Sequence, residues 1–144
     1  MTELHSYSKV FALGHPQLEG LTNEPVLCQE KIDGSQFSFA LIRGTNIAGD
    51  TQECLLYRSK GAIIYDNAAA MFKPCVDQIP GLHALHGLTP NYLYRAEFLS
   101  KPRHNTLQYE RAPKHFFVVY DIEDMNKGPY NFFKTLQVKE ECER

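Results

Sequence analysis

The sequence predicts an α+β fold in which short antiparallel strands are interrupted by a few helices. Hydrophobic residues make up 43% and charged residues 22% of the chain, values typical of a globular protein. Aromatic and β-branched runs are separated by turn-forming residues, whereas only two segments have helical spacing. Helices placed between hairpins favour this class over a regularly alternating parallel sheet. A length of 144 residues suits one domain, which we expect to span residues 1–144.

The first half of the chain contains three predicted strands. Residues 26–31 run into the turn pair Asp33-Gly34, and residues 35–43 then alternate apolar and polar side chains. This pattern predicts a hairpin with Lys31 near its bend. Residues 53–59 predict a further strand that ends at Gly61.

The second half combines helical and strand patterns. Residues 66–79 carry apolar side chains close to an i, i+3, i+4, i+7 stripe, so they predict a helix that Pro74 interrupts or delays. Residues 92–99 and 115–122 are rich in aromatic and β-branched side chains and predict buried strands. Residues 130–144 have helical spacing.

Charge, cysteine content and hydropathy exclude several classes of protein. The net charge of −2 gives no overall attraction to nucleic acid or to an anionic membrane. The four cysteines include no C-x-x-C pair, which argues against a zinc site or a disulfide scaffold and favours reduced, buried thiols. The first residues, MTELHSYSKV, lack the apolar core of a signal peptide, and no apolar stretch approaches about 20 residues. We therefore expect a cytoplasmic protein without a membrane partner.

One local region departs from this acidic balance. Residues 95–114 contain five basic side chains and two acidic ones, a local charge of +3. Cations in a polar loop are candidates for contacts with phosphate groups. The candidate RNA- or phosphate-binding residues in this region are therefore Lys101, Arg103 and Arg111.

Four short motifs follow one another in a fixed order. They are EKIDG at residues 30–34, RSKG at 58–61, YRAEF at 94–98 and FFVVYDI at 116–122. A single K-x-D-G is a weak signal in a chain of this length. Together, the motifs make the segment from about residue 25 to 122 resemble the covalent nucleotidyltransferases, and within them the phage-type ATP-dependent RNA ligases.

The resemblance implies a role for each motif residue. Lys31 would attack the α-phosphate of ATP, release pyrophosphate and become lysyl-AMP; because lysine is normally protonated at pH 7, cations beside it would favour the neutral amine. Mg²⁺ would accompany the ATP, with no protein metal ligands identified. Glu30 would contact the adenine, Gln36 would lie near the adenylate, and Glu97 would bind the ribose hydroxyls. Lys60 would be the aligned cation, with Arg58 as its possible substitute. Phe117, or alternatively Tyr120, would stack on the adenine.

The resemblance covers only part of the family's pattern. Motif IV, an E-G-[VI]-V strand, and motif V, a K-x-K strand, do not follow Ile122. We therefore expect the N-terminal portion of an RNA ligase adenylyltransferase domain, truncated before these motifs, with a second chain as their candidate source. Its activity would serve the sealing of RNA 5′-phosphate and 3′-hydroxyl ends. The alternatives are an inactive nucleotide- or RNA-binding remnant, a DNA ligase, and a GTP-using capping-type relative.

Overall fold

The computed structural model describes residues 4–65 and 70–144 and confirms the α+β class. A five-stranded antiparallel sheet has the order β3-β2-β1-β4-β5. The strands are β1 (Ser35–Thr45), β2 (Thr51–Ser59), β3 (Ile63–Ile64), β4 (Tyr92–Phe98) and β5 (Phe117–Asp124). The helices are α1 (Lys73–Val76), α2 (Ile79–His86) and α3 (Thr135–Glu143), with short 3-10 turns at Pro16–Leu18, Leu21–Asn23 and Met125–Lys127.

The two faces of the sheet differ in chemistry because side chains alternate along each strand. One face, the aromatic face, carries Phe37, Phe39, Tyr57, Tyr94 and Phe98 and packs against residues of the three helices. The other, the mixed face, is apolar at one end and polar at the other. Its members include Gln36, Ser38, Ala40, Ile42, Arg58, Leu93, Arg95 and Glu97.

The predicted hairpin around Asp33-Gly34 is wrong. Residues 26–31 form no strand, because both edges of β1 are already paired, one with β2 and the other with β4. Gly34 instead lies against β4, where an added Cβ would come within 2.4 Å of the carbonyl oxygen of Phe98. The Asp-Gly pair therefore starts a central strand, and does not connect two strands.

The helix predicted over residues 66–79 is corrected in part. Residues 66–69 lie outside the described residues, and the described remainder holds the short helix α1 followed by α2, which the sequence pattern did not predict. Pro74 and Pro80 are the second residues of these helices and lie in the first turn. Proline is tolerated there because the first helical N–H groups have no intrahelical acceptor.

The strands of the second half are confirmed within two residues as β4 and β5. The helix predicted for residues 130–144 begins only at Thr135, because Phe132 bridges Glu123 and the Phe133 N–H donates to the Ile122 carbonyl.

Two further expectations concern cysteines and membranes. The described cysteines are free, but only Cys75 is buried, whereas Cys28, Cys54 and Cys142 are exposed. Within residues 4–65 and 70–144, no helix has the length and apolar character needed to cross a bilayer.

Candidate functional site

Three residues predicted to contact nucleotide share the polar end of the mixed face. Gln36 on β1 is paired directly with Glu97 on β4, and Ser38 on β1 lies between Arg58 on β2 and Arg95 on β4. Directly paired residues point to the same side of an antiparallel sheet. The sheet therefore brings Gln36, Arg58 and Glu97 from three strands to one surface.

Glu97 is the half-buried carboxylate of this surface. Burial raises its pKa above the ordinary value, and the nearby positive charge of Lys31 and the backbone of Gly34 oppose that rise in part. Lys31 and Glu30 are exposed on the irregular segment before β1. The structure thus places the predicted nucleophile within electrostatic reach of Glu97.

The two aromatic candidates lie on opposite faces. Phe117 packs on the aromatic face, 5.4 Å from Phe39 between ring centroids, and lines a cleft of ≈ 400 Å³ there. Tyr120 contacts the ring of Tyr7 and is close enough to Glu97 for that charge to raise its pKa, after the larger effect of burial. Of the two aromatic candidates, Tyr120 is therefore the one that lies on the same side of the sheet as Glu97, whereas the role of Phe117 stays a prediction.

The two candidate cations also differ in placement. The Nε atom of Arg58 is buried and has no hydrogen-bond partner among the described residues. Lys60 is exposed and follows the end of β2. A buried guanidinium nitrogen without a partner is costly unless a ligand or water satisfies it. Arg58 is therefore the cation best placed to meet an anion on the mixed face.

Asp33 of the K-x-D-G motif holds a loop. We call residues 99–116 the basic loop. The Asp33 carboxylate accepts the backbone N–H groups of Thr106 at 2.6 Å and Leu107 at 2.7 Å. The Asp33 N–H donates to the Tyr109 hydroxyl, and Asn105 donates to the Gly34 carbonyl. These bonds connect the segment that carries Lys31 to the middle of the basic loop.

The predicted phosphate-binding cations lie on this loop. Lys101, Arg103 and Arg111 are exposed, and none of them has a carboxylate partner within the described ranges. Arg95, which the sequence analysis counted with them, is fully buried and paired with Glu123 at 2.6 Å. Arg95 therefore does not contribute to the exposed basic surface of the loop.

The sequence analysis missed a buried polar network beside the site. Arg95 donates to Glu123, to Ser38 Oγ and to the His5 carbonyl, and its guanidinium lies 5.7 Å from the Tyr7 ring centroid. The only sequence signal was a charged residue within an aromatic strand. Since both Arg95 and Glu97 fit that description, the signal did not distinguish the structural residue from the candidate ligand.

Comparisons of the chain with protein-family models, curated proteins and solved structures give no match. The assignment of a function therefore depends on the motifs and on this geometry. Across residues 4–65 and 70–144, no group of three or more His, Cys, Asp or Glu side chains is positioned to hold a metal ion.

Proposed function

We propose that this chain is an adenylyltransferase unit of an RNA ligase, which forms lysyl-AMP from ATP for the sealing of RNA 5′-phosphate and 3′-hydroxyl ends. One observation carries the proposal. The fold brings Arg58 and Glu97 from two strands to the polar end of one sheet face, and the charge of Glu97 interacts with Lys31 before β1 and with Tyr120 on β5.

The proposed chemistry is transfer of an AMP group to an amine. The neutral Lys31 nitrogen attacks the α-phosphorus of ATP, so an N–P bond forms while the bond to the bridging oxygen breaks. Pyrophosphate leaves with the bonding electron pair, and the nitrogen loses its proton to solvent. Arg58 would donate to the phosphates, since a guanidinium matches the geometry of phosphate oxygens.

The other residues would bind the nucleoside. The Glu97 carboxylate can accept hydrogen bonds from both ribose hydroxyls. Stacking of a base on an aromatic ring such as Tyr120 contributes about 1–3 kcal/mol. Mg²⁺ would bind mainly to the phosphates of ATP, as is common where the protein offers few carboxylates.

Two surfaces support the proposed macromolecular partners. The exposed cations Lys101, Arg103 and Arg111 of the basic loop suit the phosphates of an RNA end. In the described sheet, β5 lies at one edge, and its end at residues 122–124 already bonds to residues 131–133. The main chain of residues 117–121 is the part of this edge that can accept another strand by hydrogen bonds. We propose that strands carrying motifs IV and V, supplied by a second chain, dock at this edge.

The test is intact-mass and peptide-mapping spectrometry after incubation with ATP and Mg²⁺, combined with calorimetric titration of ATP. When a chain carrying motifs IV and V is supplied, we expect the mass of one AMP to be added at Lys31 and to be lost in Lys31→Arg. The matched control is Lys139→Arg, since Lys139 is exposed on α3. ATP binding without an adduct would favour the alternative of a nucleotide-binding module.

A pair of aromatic variants tests the location of the site. We expect Tyr120→Ala to weaken ATP binding and Phe117→Ala to leave it nearly unchanged, because these side chains lie on opposite faces. The reverse order would place the nucleotide in the cleft on the aromatic face. Absence of both the adduct and ATP binding would show that the proposed function is wrong.

A further inference from the structure

We propose that Tyr7, near the N-terminus, is a positioning residue that holds the Tyr120 ring in the orientation needed to stack on a purine base. This inference rests on the proposed function and assigns a role to a segment outside all four motifs. Tyr7 itself would not touch the nucleotide. It would act through Tyr120.

Tyr7 meets the site through several contacts of defined geometry. Its ring lies edge-on to the Tyr120 ring, with 5.4 Å between centroids and 90° between planes. Its hydroxyl donates to the Asp121 carboxylate, the next residue along β5. On another side, its ring packs against Phe132 at 5.4 Å. Tyr7 is therefore held between the end of the sheet and the segment before α3.

Tyr120 needs a lateral support because β5 is irregular at this point. Arg95 pairs with Asp121, whereas the next residue, Ala96, pairs with Val119. Tyr120 is thus the extra residue of a β-bulge and has no partner opposite it. Bulges redirect a side chain but leave the extra residue outside the ladder of main-chain pairs. The direction of the Tyr120 ring must then be set by side-chain contacts.

The segment that carries Tyr7 is anchored independently of Tyr120. Leu4 is fully buried in a cluster with Ala40, Ile42 and Leu93 on the mixed face. His5 Nε2 lies 2.6 Å from Glu123 Oε2, and the His5 carbonyl accepts a hydrogen bond from Arg95 at 3.0 Å. Tyr7 is therefore held in place, and its ring gives the Tyr120 ring a fixed packing surface.

Loss of Tyr7 is therefore expected to weaken binding of the adenine base and to leave binding of the phosphates unchanged. Without Tyr7, the Tyr120 ring can rotate. Ordering the ring again when ATP binds costs conformational entropy, which reduces the net stacking energy. An edge-to-face aromatic pair contributes about 0.5–1.5 kcal/mol, which corresponds to a two- to tenfold change in affinity. Contacts to the triphosphate made by Arg58 do not involve Tyr7.

The experiment measures dissociation constants of ATP and of inorganic tripolyphosphate by calorimetry. We expect Tyr7→Ala and Tyr7→Leu to weaken ATP binding two- to tenfold and to leave tripolyphosphate binding unchanged. Tyr7→Phe keeps the ring and should restore ATP binding to within about twofold of wild type. Tyr7→Leu retains apolar packing, so it tests the same point if Tyr7→Ala fails to fold.

The matched control is Tyr92→Leu, which removes another edge-to-face ring contact, the one with Phe133 on the aromatic face. We expect it to lower stability and to leave ATP affinity unchanged. In the Tyr120→Ala background, Tyr7→Ala should cause no further loss of ATP affinity.

Four outcomes would overturn the inference. If Tyr7→Ala and Tyr7→Leu bind ATP with wild-type affinity, or if the losses add in the double variant, the role of Tyr7 is wrong while the proposed function stands. Equal losses for ATP and tripolyphosphate would show a general structural effect. Failure of the wild-type protein to bind ATP would overturn the proposed function together with this inference.

Discussion

At the scale of single residues, the K-x-D-G motif is explained by close packing as well as by chemistry. An added Cβ at Gly34 would lie 2.4 Å from the Phe98 carbonyl oxygen and 3.2 Å from both Glu97 Oε2 and Leu99 Cδ1. Only glycine allows β1 to begin so close to β4. The same close approach brings the segment that carries Lys31 alongside Glu97, so the glycine serves both the fold and the candidate site.

We expect Gly34→Ala to lower the free energy of unfolding by about 1–3 kcal/mol, since a backbone oxygen cannot move aside without shifting β4. Urea denaturation measures this change. Gly44→Ala, on the same strand, is the matched control, because an added Cβ there meets nothing within 4 Å. Its effect should be neutral or slightly stabilising. Equal losses in both variants would contradict the packing argument.

At the scale of structural elements, Asp33 joins the segment before β1 to the basic loop. Its two short hydrogen bonds come from consecutive backbone N–H groups, and the neighbouring Ser35 hydroxyl lies 2.9 Å from His104 Nε2. A loop of this length is ordered only where side chains satisfy its backbone groups. The candidate RNA-binding cations are therefore carried by a loop whose position depends on the motif that contains Lys31.

The hydrogen bonds from Leu107 and Thr106 lower the pKa of Asp33 below its ordinary value of 3.8. Because the folded pKa is the lower one, the stabilisation by ionised Asp33 is fully present above the unfolded pKa and is lost as the pH falls through the folded pKa. We expect the amide NMR signals of both residues to titrate together with a midpoint below 3.8.

The control for this titration is Asp33→Asn, in which the two amide signals should no longer shift together at acidic pH. A midpoint at or above the ordinary value in the wild-type protein would refute the anchoring role of Asp33. Persistence of the titration in Asp33→Asn would assign it to another group.

At the scale of the whole molecule, a buried network joins the N-terminal segment to β4 and β5. Arg95 and Glu123 are both fully buried, and Glu123 also faces His5 and accepts the Tyr130 N–H. Because moving an ionised side chain out of water is unfavourable, a buried charge needs an oppositely charged partner with good geometry. The network therefore ties the start, the centre and the end of the chain around the site.

We expect Glu123→Gln to lower the free energy of unfolding by about 3–5 kcal/mol, since it leaves the Arg95 charge buried without a carboxylate. Glu53→Gln is the matched control, because Glu53 pairs with Arg43 on the exposed part of the sheet. Its loss should stay below about 1 kcal/mol. Thermal or urea denaturation that gives similar losses for both variants would contradict this account.

Several elements were predictable from local pattern alone. The aromatic and β-branched runs of β4 and β5 have the composition of buried strands wherever they pair, and β2 was placed correctly for the same local reason. Helical spacing predicted α3 but not its start at Thr135. The motifs named Gln36, Arg58 and Glu97, which the mixed face brings to one surface, and also residues such as Phe117 that lie elsewhere. These features depend on neighbours in sequence.

Other features depend on which strand pairs with which. Alternation in FFVVYDI does not reveal the bulge that separates Tyr120 from Phe117, because a bulge is defined by the partner strand. The failure of residues 26–31 to form a strand has a similar cause, since β4 occupies the edge of β1 that a hairpin would need.

By itself, the sequence determined the α+β class, the positions of the main strands and a set of candidate residues that includes Lys31, Glu97 and Tyr120. Only the tertiary structure decided that Arg95 is buried with Glu123, that Asp33 bonds to the basic loop and that the Tyr7 ring packs edge-on against Tyr120. The physical reason is the separation along the chain over which each interaction acts. Strand propensity acts between neighbours, whereas ion pairs, bulges and close backbone contacts join residues far apart in the chain.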